Sequence, residues 1–215
     1  LPASAALVLA LASGFLLGSL PFGYWFGRLR GINLLKVGSG SIGATNVVRN
    51  LGWPLGITCF LLDVVKGGTS VLIAKHLVPI SVPGGREIWV VLAGVLAVVS
   101  HSYSFWLGFR GGRGVAAALG LVIAISPLVG ALSFGTWVVV LALGRYVSLA
   151  SVLAVASAPV WATLQGLDRT YVVFIALAAL VIVLRHIPNL RRLAAGTEPR
   201  VGGKRPAPEP GDRNV

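Results

Sequence analysis

The sequence predicts an all-α integral membrane protein of seven transmembrane helices, with the N-terminus outside and the C-terminus in the cytoplasm. Three observations predict it. Hydrophobic residues make up 56% of the 215, gathered in runs that approach the roughly 20 residues a helix needs to cross a core about 30 Å thick. The 18 Lys and Arg, against 6 Asp and Glu, lie in short stretches between those runs rather than in one basic patch, which argues against a nucleic-acid partner. Alternate loops hold nearly all of those cations, as short cytoplasmic loops do.

The first run, Ala3–Phe26, has no charged leading region and exceeds the apolar stretch of a signal peptide. It is therefore read as a span of the mature protein. Trp53–Val78 and Ile88–Leu107 follow. Val115–Ser126 is short, and Pro127 separates it from Pro127–Leu143, because proline lacks an N–H and ends the helix before it. Val147–Gln165 and Thr170–Leu184 complete the seven. Twenty-eight glycines suit helices that pack closely in lipid. Arg28, Arg30, Lys36 and Arg49 follow the first run, Arg110 and Arg113 the third, and Arg145 the fifth, and seven more cations follow the last. The other side holds Lys75, Arg86 and Arg169. Residues 1–198 form the predicted membrane domain. Residues 199–215, rich in Pro, Gly and charge, are expected to be a disordered cytoplasmic tail. The single Cys59 lies in an apolar run and is expected to pack, since no intrachain disulfide is possible.

Three basic stretches, the first two rich in glycine, share the positive face. Gly38-Ser39-Gly40-Ser41-Ile42-Gly43-Ala44-Thr45-Asn46-Val47-Val48-Arg49-Asn50 matches G-x-G-x-x-G, and Asp63 stands at the distance a dinucleotide fingerprint asks for. No strand precedes the glycines and Asp63 lies inside an apolar run, so that reading fails. The glycines instead let backbone N–H groups converge on an anion. Ser39, Ser41 and Thr45 can donate to phosphate oxygens, a short helix from Thr45 would aim its N-terminus at them, and Arg49 offers a bidentate partner. The alternative is a tight turn with an arginine on lipid headgroups. The second stretch is Gly108-Phe109-Arg110-Gly111-Gly112-Arg113-Gly114, preceded by His101-Ser102-Tyr103-Ser104. The third is Arg185-His186-Ile187-Pro188-Asn189-Leu190-Arg191-Arg192, expected where the last span leaves the membrane. Asp63 and Lys66 share a helix face, either as substrate contacts or as an ion pair holding helices together. They stand roughly 15–20 Å along the helix from Trp53, deep for a surface site unless the loops dip inward.

From Arg28 to Arg192 the loops on this face carry no Asp or Glu, so neither a metal nor a cofactor is expected for a phosphate substrate. Metalloprotease, P-loop and nucleophile-elbow motifs are absent. The fifth residue after His76, His101 and His186 is Ser81, Trp106 and Arg191, which excludes the H-x-x-x-x-D box of one large acyltransferase class. Electrostatic catalysis by preformed donors and arginines remains. The residues alone leave two rivals open, a membrane transporter for an organic phosphate and a subunit recruiting acidic partners.

Ser39-Gly40-Ser41-Ile42-Gly43-Ala44-Thr45-Asn46-Val47-Val48-Arg49 closely resembles the first signature of PlsY-type acyl-phosphate:glycerol-3-phosphate acyltransferases. Asp63-Val64-Val65-Lys66-Gly67 resembles the second, and His101 through Ala116 the third. Arg145 to Ser151, Arg185-His186 with Asn189, and Ala195-Gly196-Thr197-Glu198 resemble later family segments. The resemblance implies transfer of a fatty acyl group from acyl-phosphate to the 1-hydroxyl of glycerol 3-phosphate, giving lysophosphatidic acid and phosphate in phospholipid synthesis. It implies seven spans in a bacterial plasma membrane, with the active site facing the cytoplasm. Carried over by residue, Ser39, Arg49, His186 and Asn189 are catalytic and, with Ser148, hold glycerol 3-phosphate. Lys66, His101, Gly111, Gly112 and Arg113 bind acyl-phosphate, while Gly40, Gly43, Thr45 and Asn46 shape the loop. Partners are the two substrates, the bilayer and the soluble enzyme that makes acyl-phosphate. Arg113 stands where many relatives have lysine, and a planar guanidinium does not copy a point charge. Pro188 fixes the backbone between His186 and Asn189.

Overall fold

The computed structural model describes residues 1–82 and 84–203. Among them are nine α-helices, one short 3₁₀ turn and no strand. The helices are α1 (Ala3–Ser19), α2 (Phe22–Leu29), α3 (Ala44–Leu51), α4 (Trp53–Leu77), α5 (Arg86–Ser102), α6 (Val115–Ile125), α7 (Pro127–Gly144), α8 (Val147–Leu164) and α9 (Arg169–Ala194). Five stretches are long and apolar enough to cross a membrane: Ala3–Leu29, α4, α7, α8 and α9. Helix α6 is apolar but has 11 residues, and α5 has 17.

Each expected run has its helix, and three boundaries differ: the third run, expected to Leu107, ends as α5 at Ser102, and the first and last differ as well. The first run does not continue to Phe26 unbroken: α1 ends at Ser19 and α2 begins at Phe22. Pro21 supplies no N–H, and two carbonyls freed at the break are taken by side chains. Lys66 Nζ donates to the Leu20 carbonyl at 2.8 Å, and Ser104 Oγ to the Ser19 carbonyl at 2.6 Å. The last helix runs past Leu184 to Ala194 with Pro188 inside it, so the third basic stretch is helical rather than a loop. Pro188 removes one N–H without ending the helix. The arginines at its C-terminal end suit the negative pole of the helix dipole. At Pro127 the break falls as expected, with Ser126 Oγ capping α7 by accepting from the Val129 N–H.

Helix α4 lies against α1, α3, α5 and α6, while α7, α8 and α9 pack in series and join the rest through α5 and α6. Small residues make these seams. A Cβ on Gly67 would overlap the Ala117 carbonyl and one on Gly120 the Val64 carbonyl, so α4 and α6 meet backbone to backbone. Gly14 and Gly18 do the same for α1 against Ala93 and Ala97 of α5. Close approach of this kind drives helix association in lipid, where tails are as apolar as leucine. Larger side chains such as Leu61, Leu72 and Leu177 point outward.

Replacing Gly67 by leucine should force α4 from α6, and overpacking of this kind costs about 1–3 kcal/mol. The thermal unfolding midpoint in detergent should fall. Gly135→Leu, at a glycine with open space around it, should leave it unchanged; equal effects would refute the seam.

Candidate functional site

The glycine-rich stretch is organised around one buried side chain. Asn46, in the first turn of α3, shares the two N–H bonds of Nδ2 among the carbonyls of Leu34, Val37 and Ser41, at 3.2, 3.1 and 2.8 Å. Its Oδ1 accepts from the Ser39 N–H at 3.1 Å and from Asn50 Nδ2 at 3.1 Å. The chain can wrap this amide because Gly38 and Gly40 take left-handed φ of 60° and 62°, which side chains disfavour. Ser41 Oγ accepts from the Gly43 N–H at 3.2 Å, and Gly43 caps α3. Ser39, Ser41, Gly43, Thr45 and Arg49 thereby line one cavity. Gly40 shapes the loop's path, Asn46 holds that path and also lines the cavity, and half-buried Gly43 and Thr45 complete this wall.

The cavity has about 700 Å³ of empty space, part of it open to solvent. Asp63 of α4, His101 of α5, Arg113, Ser148 and Ser151 of α8, His186 of α9 and Glu198 close it. Asp63 lies ten residues into α4, so the loops do dip between the helices. Of the residues expected at the site, Ser39, Arg49, His101, Arg113, Ser148 and His186 converge here.

Lys66, Gly111, Gly112 and Asn189 do not line the cavity. The Lys66 ammonium is buried, paired with Asp63 Oδ1 at 2.8 Å and bonded to Leu20, so it serves the α1–α2 break. Gly111 and Gly112 press on the end of α5, where a Cβ on either would overlap the His101 carbonyl or imidazole. The Gly112 N–H donates to the His101 carbonyl at 3.0 Å, and the Gly112 carbonyl accepts from Arg185 Nη2 at 3.2 Å. That close approach turns Arg113 into the cavity. Asn189 sits one layer behind, with Nδ2 donating to Glu198 Oε1 at 2.7 Å.

Sequence reasoning missed Glu198. It is the one acid between Asp168 and Glu209, a signal overlooked because it stands beside the expected tail. Residues 204–215 of that tail lie outside the described residues. Residues 199–203 dock on the α7–α8 connection, where the Val201 N–H donates to the Arg145 carbonyl at 2.8 Å. Arg145 Nη2 returns a bond to the Val201 carbonyl at 2.8 Å, and Arg200 Nε donates to the Tyr146 hydroxyl at 2.7 Å. Glu198 is held in the site from both directions.

Charge is unbalanced here. Burial lowers the Arg113 pKa to about 10, with Glu198 opposing and Arg192, Arg49 and Arg185 adding to the fall. Arg49 is lowered by burial, with Glu198 and Arg192 pulling in opposite directions. Both stay protonated at neutral pH. Burial disfavours the Glu198 carboxylate, yet groups on Asn189, Ser148 and Arg192 hold its pKa below the ordinary range. Arg192 Nε donates to Glu198 Oε2 at 2.8 Å. Four guanidinium groups around one carboxylate leave positive charge that an anionic ligand would neutralise. His186 Nδ1 lies 2.8 Å from the Ile182 carbonyl. A carbonyl only accepts, so Nδ1 carries the proton and Nε2 keeps the lone pair of the neutral ring. His101 Nδ1 is 3.5 Å from Asp63 Oδ1. Among the described residues no three His, Cys, Asp or Glu gather as a metal site.

A second cavity, with about 580 Å³ of empty space, is walled by apolar side chains including Leu119, Val122, Phe134, Ala154 and Ile175. Phe60, Val115 and Trp137 line both cavities. The arrangement suits an amphiphile with an anionic head and an apolar chain.

Asn46→Ala should release the loop. It strands buried carbonyls, each costing about 1–3 kcal/mol. Both the unfolding midpoint and affinity for a phosphate ligand should drop, by fluorimetry and by calorimetry; retained affinity would mean the loop does not form the anion site.

A family model described as glycerol-3-phosphate acyltransferase matches residues 8–196. A glycerol-3-phosphate acyltransferase of Synechococcus sp. (strain JA-2-3B'a(2-13)) is 45% identical over 200 residues, covering 92% of this chain and 96% of that protein. One of Desulforamulus reducens is 39% identical over 199 residues, covering 92% and 96%. Among solved structures, the glycerol 3-phosphate form of PlsY (YgiH), an integral membrane glycerol 3-phosphate acyltransferase, superposes with a TM-score of 0.85. It has 38% identity and covers 91% of this chain and 96% of that one. The lysophosphatidic acid form gives 0.83 at 37% identity, covering 91% and 95%.

Proposed function

This chain belongs to the glycerol-3-phosphate acyltransferase family, and we propose that it transfers a fatty acyl group from acyl-phosphate to the 1-hydroxyl of glycerol 3-phosphate. The products are lysophosphatidic acid and inorganic phosphate. The observation that carries this reading is the joint between a cavity lined by Arg49 and Arg113 and an apolar cavity, at Phe60, Val115 and Trp137. Ser39, Arg49 and Ser148 hold the phosphate of glycerol 3-phosphate, with Glu198 setting the position of Asn189 behind them. Arg113, presented by Gly111 and Gly112 against His101, takes the phosphate of the donor, and the acyl chain lies in the apolar cavity.

Acyl-phosphate is already activated, so the hydroxyl attacks the acyl carbonyl directly, with neither a covalent enzyme intermediate nor a metal. The new C–O ester bond forms as the C–O bond to phosphate breaks, and the departing dianion is stabilised by guanidinium groups and loop N–H donors. The hydroxyl proton is taken by His186 Nε2 or by a phosphate oxygen of the substrate and ends on the leaving phosphate, which departs as the monohydrogen dianion.

The membrane setting follows the same reading. All seven runs span, with α5 and α6 crossing as shorter helices shielded by neighbours. The N-terminus lies outside and the C-terminus in the cytoplasm, because the positive face carries 14 of the 18 cations. The site opens to the cytoplasm of a bacterial plasma membrane, within reach of the soluble enzyme that makes the donor.

Purified protein should form lysophosphatidic acid from radiolabelled glycerol 3-phosphate with palmitoyl-phosphate, not with palmitoyl-CoA or palmitoyl-acyl carrier protein. Arg49→Ala should abolish it. Product from the thioesters would overturn the donor, and binding without product would favour a transporter. A general base contributes about 10²–10⁴-fold, so His186→Ala should lose at least that lower amount in kcat. Near-normal turnover would assign the proton to the substrate's phosphate oxygen.

A further inference from the structure

The segment between α5 and the Gly111–Gly114 loop is a built hairpin whose tip the fold does not use. Its root is fixed: Ser104 pairs with Arg110 in an antiparallel bridge, and the Ser104 carbonyl accepts from the Leu107 and Phe109 N–H groups at 3.1 and 2.9 Å. The buried Ser104 hydroxyl is bonded to Ser19 of α1. The tip is apolar and bare. Trp106 is 57% exposed and Phe109 66% exposed.

Phe109 also carries backbone strain. Its φ is +61°, in the left-handed region where side chains other than glycine are disfavoured. A glycine would adopt this turn without strain. The phenyl ring gains little burial within the protein to offset it, so the compensation lies outside the chain.

Two observations indicate what lies there. The Phe105 ring stacks on Phe15 of α1 at 5.7 Å and touches Trp106 at 4.3 Å, so the tip continues an aromatic strip from the outward face of a membrane helix. The tip is also cationic. Arg110 is exposed, and no acid occurs from His101 to Gly114. Amphipathic aromatics with a neighbouring arginine match the headgroup zone of a bilayer.

We propose that the Tyr103–Arg110 hairpin is an interfacial foot. It seats Trp106 and Phe109 among the headgroups of anionic phospholipid, with Arg110 on their phosphates. Because Gly111, Gly112 and Arg113 follow directly, the foot fixes the level of that loop against the bilayer surface, where the head of an amphiphile resides. A docked protein partner is the other possible occupant, and the strip's continuity with α1 disfavours it.

Phe109→Cys and Trp106→Cys, each in a Cys59→Ser background, would carry a nitroxide label in phosphatidylglycerol vesicles. Power-saturation measurements should find collisions with oxygen dominating those with a water-soluble nickel chelate at both positions. Thr197→Cys, exposed at the end of α9, should show the reverse. The foot should sit deeper in phosphatidylglycerol than in phosphatidylcholine, and Arg110→Gln should remove that difference. Nickel-dominated signals at both tip positions would overturn the proposal, and equal depth in the two lipids would overturn recognition of anionic headgroups. Phe109→Gly should keep or raise the thermal midpoint in detergent; a marked fall would mean that the ring serves the fold instead. None of these readouts depends on the acyl donor, so failure here and failure of the acyltransferase reading are distinguishable.

Discussion

The ammonium of Lys66 satisfies the backbone where the first apolar run breaks. Inside a membrane every backbone carbonyl needs a partner, and Pro21 leaves carbonyls at the α1–α2 break without their helical donors. Lys66 reaches from α4 to the Leu20 carbonyl while pairing with Asp63. A charged pair at this depth is tolerated because both groups are satisfied, and removing either would strand the other. The break re-aims α2 and with it the chain that enters the glycine-rich loop. Asp63 simultaneously forms a wall of the polar cavity, so one ion pair serves both the backbone and the site.

The site itself is governed by a surplus of positive charge. Glu198 is the one carboxylate drawn into a group of Arg49, Arg113, Arg185 and Arg192. It organises them without neutralising them. Asn189 and Arg192 are positioned by hydrogen bonds to it, and the docking of Val201 on Arg145 keeps the carboxylate in place. The arginines that line the cavity come from two separate elements, Arg49 from α3 and Arg113 from the loop before α6. Small residues make this possible: Gly111 and Gly112 let one loop touch His101, and Gly38 and Gly40 let the other wrap Asn46.

Two cavities that meet at Phe60, Val115 and Trp137 give the molecule its amphiphilic character. The helices around the apolar one pack through alanine, valine and glycine, which leaves room between α6, α7, α8 and α9. The polar one exists because loops descend between helix ends. Neither could be assembled from one helix face alone.

The all-helical membrane class, the order of the helices and the break at Pro127 were legible in the chain. Apolar runs, prolines and loop charge act over short distances and leave their mark locally. So was the convergence of Ser39, Arg49, His101, Arg113, Ser148 and His186, which short motifs on loops and helix ends carry in recognisable patterns. The break at Pro21 was not legible, because an intact apolar run conceals it and its stabilising donors, Lys66 and Ser104, come from distant segments. The helical reach of α9 past Pro188 was hidden by a basic composition that reads as a loop. The ion-pair alternative for Lys66 is the one the structure shows, whereas Asn189 was expected as a substrate ligand because residue type does not reveal what a side chain has already bonded. Glu198, quoted only within a family segment, was given no role because that role depends on arginines from three segments. The sequence determined which segments are helices and which residue types could meet a phosphate. The tertiary structure alone decided which of them face the cavity and which hold it open, since that depends on partners far apart in the chain.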